Sequence, residues 1–336
     1  MSIVPAGTVV VVELTFLGTS SGAPTRRRNV SALAVSHGST WDLVDCGEAT
    51  QHRIMATPLS VARLRRIFIT HLHGDHVFGL WGLLGSRSMN NATTPLRLVG
   101  PRGLRELTET VLSLSDSHLT FDLDVVELPD DGGPAADDSL GPAVDALPLD
   151  HRVTSFAYRF TEPDRPGAVD ADAAAALGLD GPDIGRVVRG ENVHGADGHP
   201  IDRAAVVGPE RPGRVYVVAG DNRDPGHLCA RIGGADLLVH ESTYTEDALE
   251  RMDGDYGHST AARVATAAAS IRLPHLVLTH FSPRYRLEPG PAPSIADVEA
   301  EARLHFSGGL HLARDGARYE LTADGDFVEG TPIELS

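Results

Sequence analysis

Short β-branched and aromatic runs recur along this chain, and several of them stop at a histidine or an aspartate. Val9 to Leu17 predicts a first strand, and Arg66-Ile67-Phe68-Ile69-Thr70 predicts another that ends where His71-Leu72-His73-Gly74-Asp75-His76 begins. Val144 to Asp150 runs into His151, Val215 to Gly220 into Asp221, and His275 to Thr279 into His280. Helices are predicted over Val77 to Leu84, over the alanine-rich Ala261 to Ser270, and over Ser294 to His305 with Ser294 as N-cap. Residues at strand ends sit on loops, where side chains from separate strands can converge.

Composition sets the frame for these elements. The 336 residues, 41% of them hydrophobic, suffice for a full core in one large α/β domain or two ordinary ones, of which one domain with an insertion is the favoured expectation. Proline and glycine are spread along the chain without a repeat or a low-complexity tract, and Asp130 to Gly141 is the segment expected to lack order. Val9 to Leu17 has neither the basic leader nor the small-residue cleavage site of a signal peptide, and no 18-residue apolar stretch occurs. Cys46 and Cys229 read as buried small residues in a reducing compartment. The expectation is a cytoplasmic protein with no membrane segment.

The net charge is −17, and every basic residue is arginine. That balance argues against indiscriminate nucleic-acid binding. A nucleic-acid substrate stays compatible with it, because Arg26-Arg27-Arg28 and Arg63, Arg65 and Arg66 cluster locally and bound metal ions would add positive charge.

The segment His71 to His76 carries the most chemistry. His71 and His73 lie two residues apart and can turn the same way toward one metal, leaving Asp75 and His76 for a second. Neutral imidazoles with a carboxylate suit zinc. The HxHxDH pattern resembles the metallo-β-lactamase superfamily, which implies an α/β fold, a four-layer αββα sandwich with metal ligands on loops along one edge of its sheets. The resemblance implies further ligands at later strand ends, which His151, Asp221 and His280 supply. It assigns His71, His73 and His151 to one zinc, Asp75, His76 and His280 to the other, and Asp221 to a bridge between them. Two metals about 3.5–4 Å apart share a hydroxide and clamp the attacking and leaving oxygens of a phosphodiester displacement.

A narrower resemblance, covering most of the chain, is to the ribonuclease Z family, endonucleases that trim the 3′ trailer from precursor tRNA. It rests on Phe16-Leu17-Gly18-Thr19-Ser20, on Pro24-Thr25-Arg26-Arg27-Arg28-Asn29 with Arg26 at a family lysine position, and on Asp45-Cys46-Gly47-Glu48 with Thr50-Gln51. Ser86-Arg87-Ser88-Met89, Gly100-Pro101-Arg102-Gly103-Leu104 and Phe281-Ser282-Pro283-Arg284-Tyr285 extend it. His240-Glu241-Ser242-Thr243 and His258-Ser259-Thr260 match two motifs that pair Glu241 with His258, so that His258 stays protonated and donates to the phosphate or the leaving 3′ oxygen. Asp75 takes the family's proton-acceptor role, an assignment the sequence does not separate from a purely ligating one.

The same resemblance implies substrate contacts at Arg26, Arg28, Asn29, Ser259 and Thr260, the last two at a helix N-terminus where capping and phosphate binding coexist. It reads the whole of 1–336 as one domain with an inserted arm at about 159–214. In that arm Glu162 to Gly167 is one stalk, Ala171 to Leu179 a helix, Gly181-Pro182 the tip, and Val206 to Pro209 the return. Arg186 and Arg189 are its expected phosphate contacts, although acidic residues outnumber basic ones there. Asn222 replaces the family threonine after the bridging ligand.

The implied function is a zinc-dependent endoribonuclease with two Zn2+ per subunit, acting on precursor tRNA as a homodimer; manganese or another divalent ion in place of zinc is left open. Two other readings are weighed: a phosphodiesterase or sulfatase of the same fold acting on small molecules, and a catalytically silent RNA-binding subunit, which the complete ligand set argues against.

Overall fold

The computed structural model describes residues 11–137, 139–254, 256–288, 290 and 293–335, so Val9 and Val10 of the predicted first strand lie outside them. Residues 162–214 form one compact unit; residues 11–161, with those from 215 onward, form another.

In the larger unit, β1 (Val12–Gly18), β2 (Ala32–His37), β3 (Thr40–Val44), β4 (Leu64–Phe68), β5 (Leu96–Pro101) and β6 (Leu123–Leu128) belong to one sheet. The second sheet holds β7 (Gly133–Ala136), β8 (Ala143–Leu149), β9 (Ser155–Thr161), β10 (Val215–Ala219), β11 (Leu237–Glu241), β12 (His275–Thr279) and β13 (Gly309–Leu312). Its strand order is β13-β12-β11-β10-β9-β8-β7. The chain then returns to the first sheet through β14 (Arg318–Leu321) and β15 (Phe327–Glu329), giving β15-β14-β1-β2-β3-β4-β5-β6.

Alternation along the strands builds the layers. Val12, Leu14 and Phe16 of β1 face the space between the sheets, packed with Phe68, Tyr158, Phe160, Tyr216 and Val218. Leu17 points the other way, into a cluster with Leu43, Ile67 and Leu98 that takes in Ile54 of helix α1 (Thr50–Met55). Leu80, Leu83 and Leu84 come to that cluster from the next long helix, and Leu104 from the one after. On the far side of the second sheet, Val217, Leu238, Leu276 and Leu278 pack against alanines and valines of the later helices. Each fully buried Leu or Phe contributes about 1.5–3 kcal/mol. The layers therefore run helix, sheet, sheet, helix.

Three sequence expectations change. The helix expected over Val77 to Leu84 is two: α2 (Gly74–Val77) and α3 (Leu80–Met89), followed by α4 (Leu104–Leu114). The break falls at Gly79, where a Cβ would lie 1.9 Å from the Gly47 carbonyl oxygen, so only glycine lets these loops meet. The segment Asp130 to Gly141, expected to lack order, contains β7, which pairs with β8 and buries Ala135; Asp138 lies outside the described residues.

The third change is in the smaller unit. The Glu162 amide donates to the Arg214 carbonyl and Arg214 Nη2 to Glu162 Oε1, at 3.0 and 2.7 Å, and bridges Arg165 to Arg211 and Val169 to Val207 keep the two runs antiparallel. Helix α5 (Ala171–Ala176) stops short of Leu179 because Gly178 turns left-handed at φ 74°. Gly181-Pro182, expected to form a tip, instead opens α6 (Gly181–Val188), whose N-cap Asp180 accepts from the Asp183 amide; proline suits this first turn. Ala174, Leu179, Val187, Val193, Val206 and Val207 give the unit its own apolar centre.

The second sheet's helices are α7 (Pro225–Cys229), α8 (Glu246–Glu250), α9 (Ala261–Ser270) and α10 (Ile295–Arg303). Ser294 caps α10 in a capping box with Asp297. Among the described residues no helix is long and apolar enough to cross a membrane.

Candidate metal centre

Strands β3 to β6 run parallel in the first sheet, and β8, β10, β11 and β12 share one direction in the second. Ligands in open α/β sheets collect at the carboxyl ends of such strands. Asp45 follows β3, the segment His71 to His76 follows β4, His151 follows β8, Asp221 follows β10, Glu241 ends β11 and His280 follows β12. Asp45 and His280 turn out of their strands at φ 60° and 56°, left-handed backbone that non-glycine residues adopt at a cost. Gly220 permits the approach of Asp221, since a Cβ there would meet Thr70 at 2.6 Å.

Two sets of ligand atoms result. His71 Nε2 lies 3.0 Å from His73 Nδ1 and 3.6 Å from Asp221 Oδ2, and His151 Nε2 lies 3.4 and 3.9 Å from the same two atoms. In the other set, Asp75 Oδ2, His76 Nε2 and His280 Nε2 are 3.1–3.5 Å apart, and Asp221 Oδ1 is 3.5 and 3.4 Å from the two nitrogens. A tetrahedral ion with bonds of about 2.0–2.1 Å sets its ligand atoms roughly 3.3 Å apart. Both sets have that spacing, and Asp221 turns one oxygen to each.

Protons on the outer nitrogens fix the tautomers. His76 Nδ1 donates to Asp45 Oδ2 at 2.7 Å and His151 Nδ1 to the Gly257 carbonyl at 2.8 Å. Thr70 Oγ1 donates to Asp45 Oδ2 and accepts from His71 Nδ1 at 3.0 Å, and Thr243 Oγ1 donates to Glu241 Oε2 and accepts from His280 Nδ1 at 3.0 Å. The Nε2 atoms of all four rings therefore face inward, each with a lone pair when its ring is neutral. Bare lone pairs this close repel one another unless a cation lies between them.

The electrostatics agree with a cation. Burial and the neighbouring histidines hold His71 well below the ordinary imidazole range. Burial also opposes charge on His76, yet Asp221, Asp45 and Asp75 together raise it well above that range. Asp75, pushed up by burial, is pulled far down by His76 and His280. Asp221 is buried, and its Oδ1 has no hydrogen-bond partner among the described residues. These residues fit divalent metal.

Beside them, His258 Nδ1 lies 3.4 Å from Glu241 Oε1 and 3.6 Å from Asp221 Oδ2. Burial disfavours the imidazolium, but the charge and hydrogen bond of Glu241 raise His258 to about 9. His258 also comes close enough to Asp221 and His280 to complete a third ligating group. Asn222 is buried, donating from Nδ2 to His240 Nε2 at 3.0 Å and accepting at its carbonyl from Ser259 Oγ at 2.5 Å.

Several expected substrate contacts are occupied by the protein itself. Ser259 and Thr260 are fully buried; Ser259 holds Asn222, and Thr260 donates to Glu246 Oε1 and caps α9 through the Arg263 amide. The next amide, of Ala262, donates to Glu301 Oε1, so carboxylates stand where a phosphate seat was expected. Arg28 is buried and donates from Nη2 to the Ser282 and Tyr285 carbonyls at 3.0 and 2.9 Å, while Asn29 Nδ2 donates to the Glu48 carbonyl. Both tie loops together through these bonds. Arg186 pairs with Asp183 and Glu191, and Arg189 with Glu191. Arg26 is exposed.

Sequence reasoning named Asp45, Thr70 and Thr243 within motifs or a strand but gave them no role, although they orient the candidate ligand rings, and it did not single out the Gly22 amide, which donates to Asp75 Oδ2 at 2.6 Å. Asp45 carried a readable signal, since it ends a strand as the other site residues do.

A family model described as "Anti-Pycsar protein Apyc1" matches residues 12–120. Ribonuclease Z of Pseudomonas putida (strain GB-1) is 45% identical over 317 residues, covering 94% of this chain and 98% of that one. Ribonuclease Z of Geobacillus kaustophilus is 41% identical over 92% of this chain and 99% of its own. Among solved structures, human tRNase Z, short form, matches with a TM-score of 0.62 at 28% identity, over 91% of this chain and 98% of that one. The metallo-β-lactamase fold protein YhfI from Bacillus subtilis matches with a TM-score of 0.64 at 19% identity, over 93% and 99%. With this fold, these ligand sets and relatives matched along nearly their whole length, the chain belongs to the ribonuclease Z family of hydrolytic endoribonucleases.

Proposed function

We propose that this enzyme removes the 3′ trailer of precursor tRNA, cutting 3′ of the discriminator nucleotide with two zinc ions per subunit and leaving a tRNA 3′-hydroxyl and a trailer 5′-phosphate. The observation that carries the reading is Asp221, a buried carboxylate with an oxygen that has no hydrogen-bond partner among the described residues, set between two groups of candidate ligand atoms. His71, His73 and His151 would hold one ion, and Asp75, His76 and His280 the other, with Asp221 shared. Metals there would supply Lewis acidity and lower the pKa of a water toward neutrality.

The chain's own groups carry the protons. Asp75, oriented by the Gly22 amide, accepts the proton of the attacking water and directs it at phosphorus. His258, kept protonated at neutral pH by Glu241, donates to the leaving 3′ oxygen, so the bond to phosphorus breaks on the tRNA side. Arg26 meets a backbone phosphate. Residues 162–214 bind the tRNA elbow, supplying binding energy that orients the 3′ end. The working form is a cytoplasmic homodimer.

The pairing of Arg186 and Arg189 with carboxylates favours a second reading, a phosphodiesterase for small molecules. Incubating zinc-loaded protein with end-labelled precursor tRNA and a matched unstructured RNA, with and without chelator, separates the two. A single chelator-sensitive cut at the discriminator, in the precursor alone, is expected. No cut alongside hydrolysis of a small phosphodiester would replace the first reading by the second.

A further inference from the structure

Most arginines near the metal centre are answered by the protein. Arg28 is bound to carbonyls, Arg27 pairs with Glu288, and Arg263 with Glu246. Arg284, four residues past His280, is different. Its guanidinium lies 5.0 Å over the ring of Tyr244, Nε donates to Ser282 Oγ at 3.2 Å, and Nη2 rests 3.5 Å from Met252 Sδ. All three partners are neutral, and among the described residues no carboxylate pairs with it.

The guanidinium is nevertheless held in place. Arg28 pins the loop on both sides of Arg284 through the Ser282 and Tyr285 carbonyls, and Tyr285 Oη accepts from the Thr245 amide at 2.8 Å. Tyr244 is buried and meets His258 edge-on, ring centres 6.0 Å apart. A stacked guanidinium keeps its charge and the outer edge of its donor fork, which matches the paired oxygens of a phosphate.

The geometry points to Arg284 as a fixed phosphate clamp, gripping the RNA backbone at a phosphate beside the scissile one while Tyr244 spaces the grip from His258. The assignment rests on the proposed RNA-cleaving function and adds a residue that sets substrate register. It explains how an acidic chain holds a polyanion at its centre with little net positive charge. A single unneutralised cation, oriented in advance, loses less entropy on binding than a flexible one.

The test compares Arg284→Ala, Arg284→Lys and a control, Arg251→Ala, whose exposed arginine pairs with Asp247. For each zinc-loaded protein, kcat/KM on precursor tRNA is measured across a salt series, with bound zinc determined. Losing one phosphate contact reduces the slope of log kcat/KM against log salt by about 0.7–0.9. Arg284→Ala should show that reduction with a roughly tenfold lower kcat/KM at low salt and full zinc content. Arg284→Lys should keep the slope but recover only part of the rate, since ammonium keeps the charge without the stacked fork. An unchanged slope in Arg284→Ala, or an equal fall in Arg251→Ala, would overturn the clamp. Wild-type protein that leaves precursor tRNA uncut at every salt would instead remove the functional reading beneath it.

Discussion

The metal centre and the unit of residues 162–214 handle charge in opposite ways. At the centre, acceptors outside the ligand sphere orient four rings through their Nδ1 protons and the Gly22 amide orients Asp75, while among the described residues the inward atoms are left unanswered: four Nε2 positions and Asp221 Oδ1. In the smaller unit, Arg186, Arg189, Arg203 and Arg214 pair with Asp183, Glu191, Glu210 and Glu162. Those of Arg186 and Arg189 are exposed, and exposed ion pairs contribute about 0–1 kcal/mol, so an incoming phosphate can displace them. The difference separates a site that demands a ligand from a surface that merely tolerates one.

The sharpest way to break that contrast is Asp221→Asn. An amide presents one acceptor and one donor, so it cannot face both ligand sets; metal content should fall below two ions and cleavage by a thousandfold or more. Retention of both ions, measured by elemental analysis, would sink the bridging assignment. Next comes His258→Ala, with an expected loss of about 10²–10⁴ in kcat at undiminished metal content. If metal is lost as well, His258 is a ligand.

Asp45→Asn should weaken metal binding about 10–100-fold, as seen by competition with a chelator, because the amide no longer fixes the proton on His76 Nδ1. Unchanged affinity would mean that the orienting groups matter less than their geometry suggests.

Asp315 extends the comparison to a carboxylate that burial penalises. Burial raises it to about 6, although the Asn29 amide and Thr19 Oγ1 donate to it at 2.6 and 2.8 Å and Arg53 lies 3.7 Å away. Its folded pKa exceeds the ordinary 3.8, so the folded state holds the proton more tightly. Stability should therefore fall as pH rises from about 4 to 6, by on the order of 2 kcal/mol, and level off above. Denaturant melts of Asp315→Asn should lack that slope.

The smallest expected effect is in the other region. Glu191→Gln removes the one carboxylate that Arg186 and Arg189 share, leaving Arg186 its pair with Asp183, and should tighten precursor tRNA binding several-fold while steepening its salt dependence. No change would show that these arginines make no phosphate contact.

The residues that converge at the candidate centre were legible because most obey a rule readable in one dimension, a strand that stops at a ligand type. His71, His151, Asp221 and His280 all follow it, and Asp45 follows it too but lacked a role until His76 was seen to need an acceptor. The strands were legible as β-branched and aromatic runs, whereas the layers were implied only by the resemblance of the HxHxDH segment to the metallo-β-lactamase superfamily. Which arginines are already bound by the protein was not legible, because that depends on partners far away in sequence: Arg28 is bound by carbonyls more than 250 positions later, whereas among the described residues Arg284 meets only neutral groups. Likewise the hydroxyls of Ser259 and Thr260 read as a phosphate seat until Asn222 and Glu246 occupied them. Helix limits shifted where glycines set them, at Gly79 and Gly178.

The ligands also come from both sheets: His71 to His76 follow β4 of the first, and His151, Asp221 and His280 follow strands of the second. His76 and His280 stand 204 positions apart in the chain. An ion held between them acts as a staple across the sandwich, closing a loop whose entropy the unfolded chain would otherwise regain. Loading the centre thus belongs to folding as much as to chemistry. The stripped protein should unfold faster along the seam between its sheets, and proteases should find it there first.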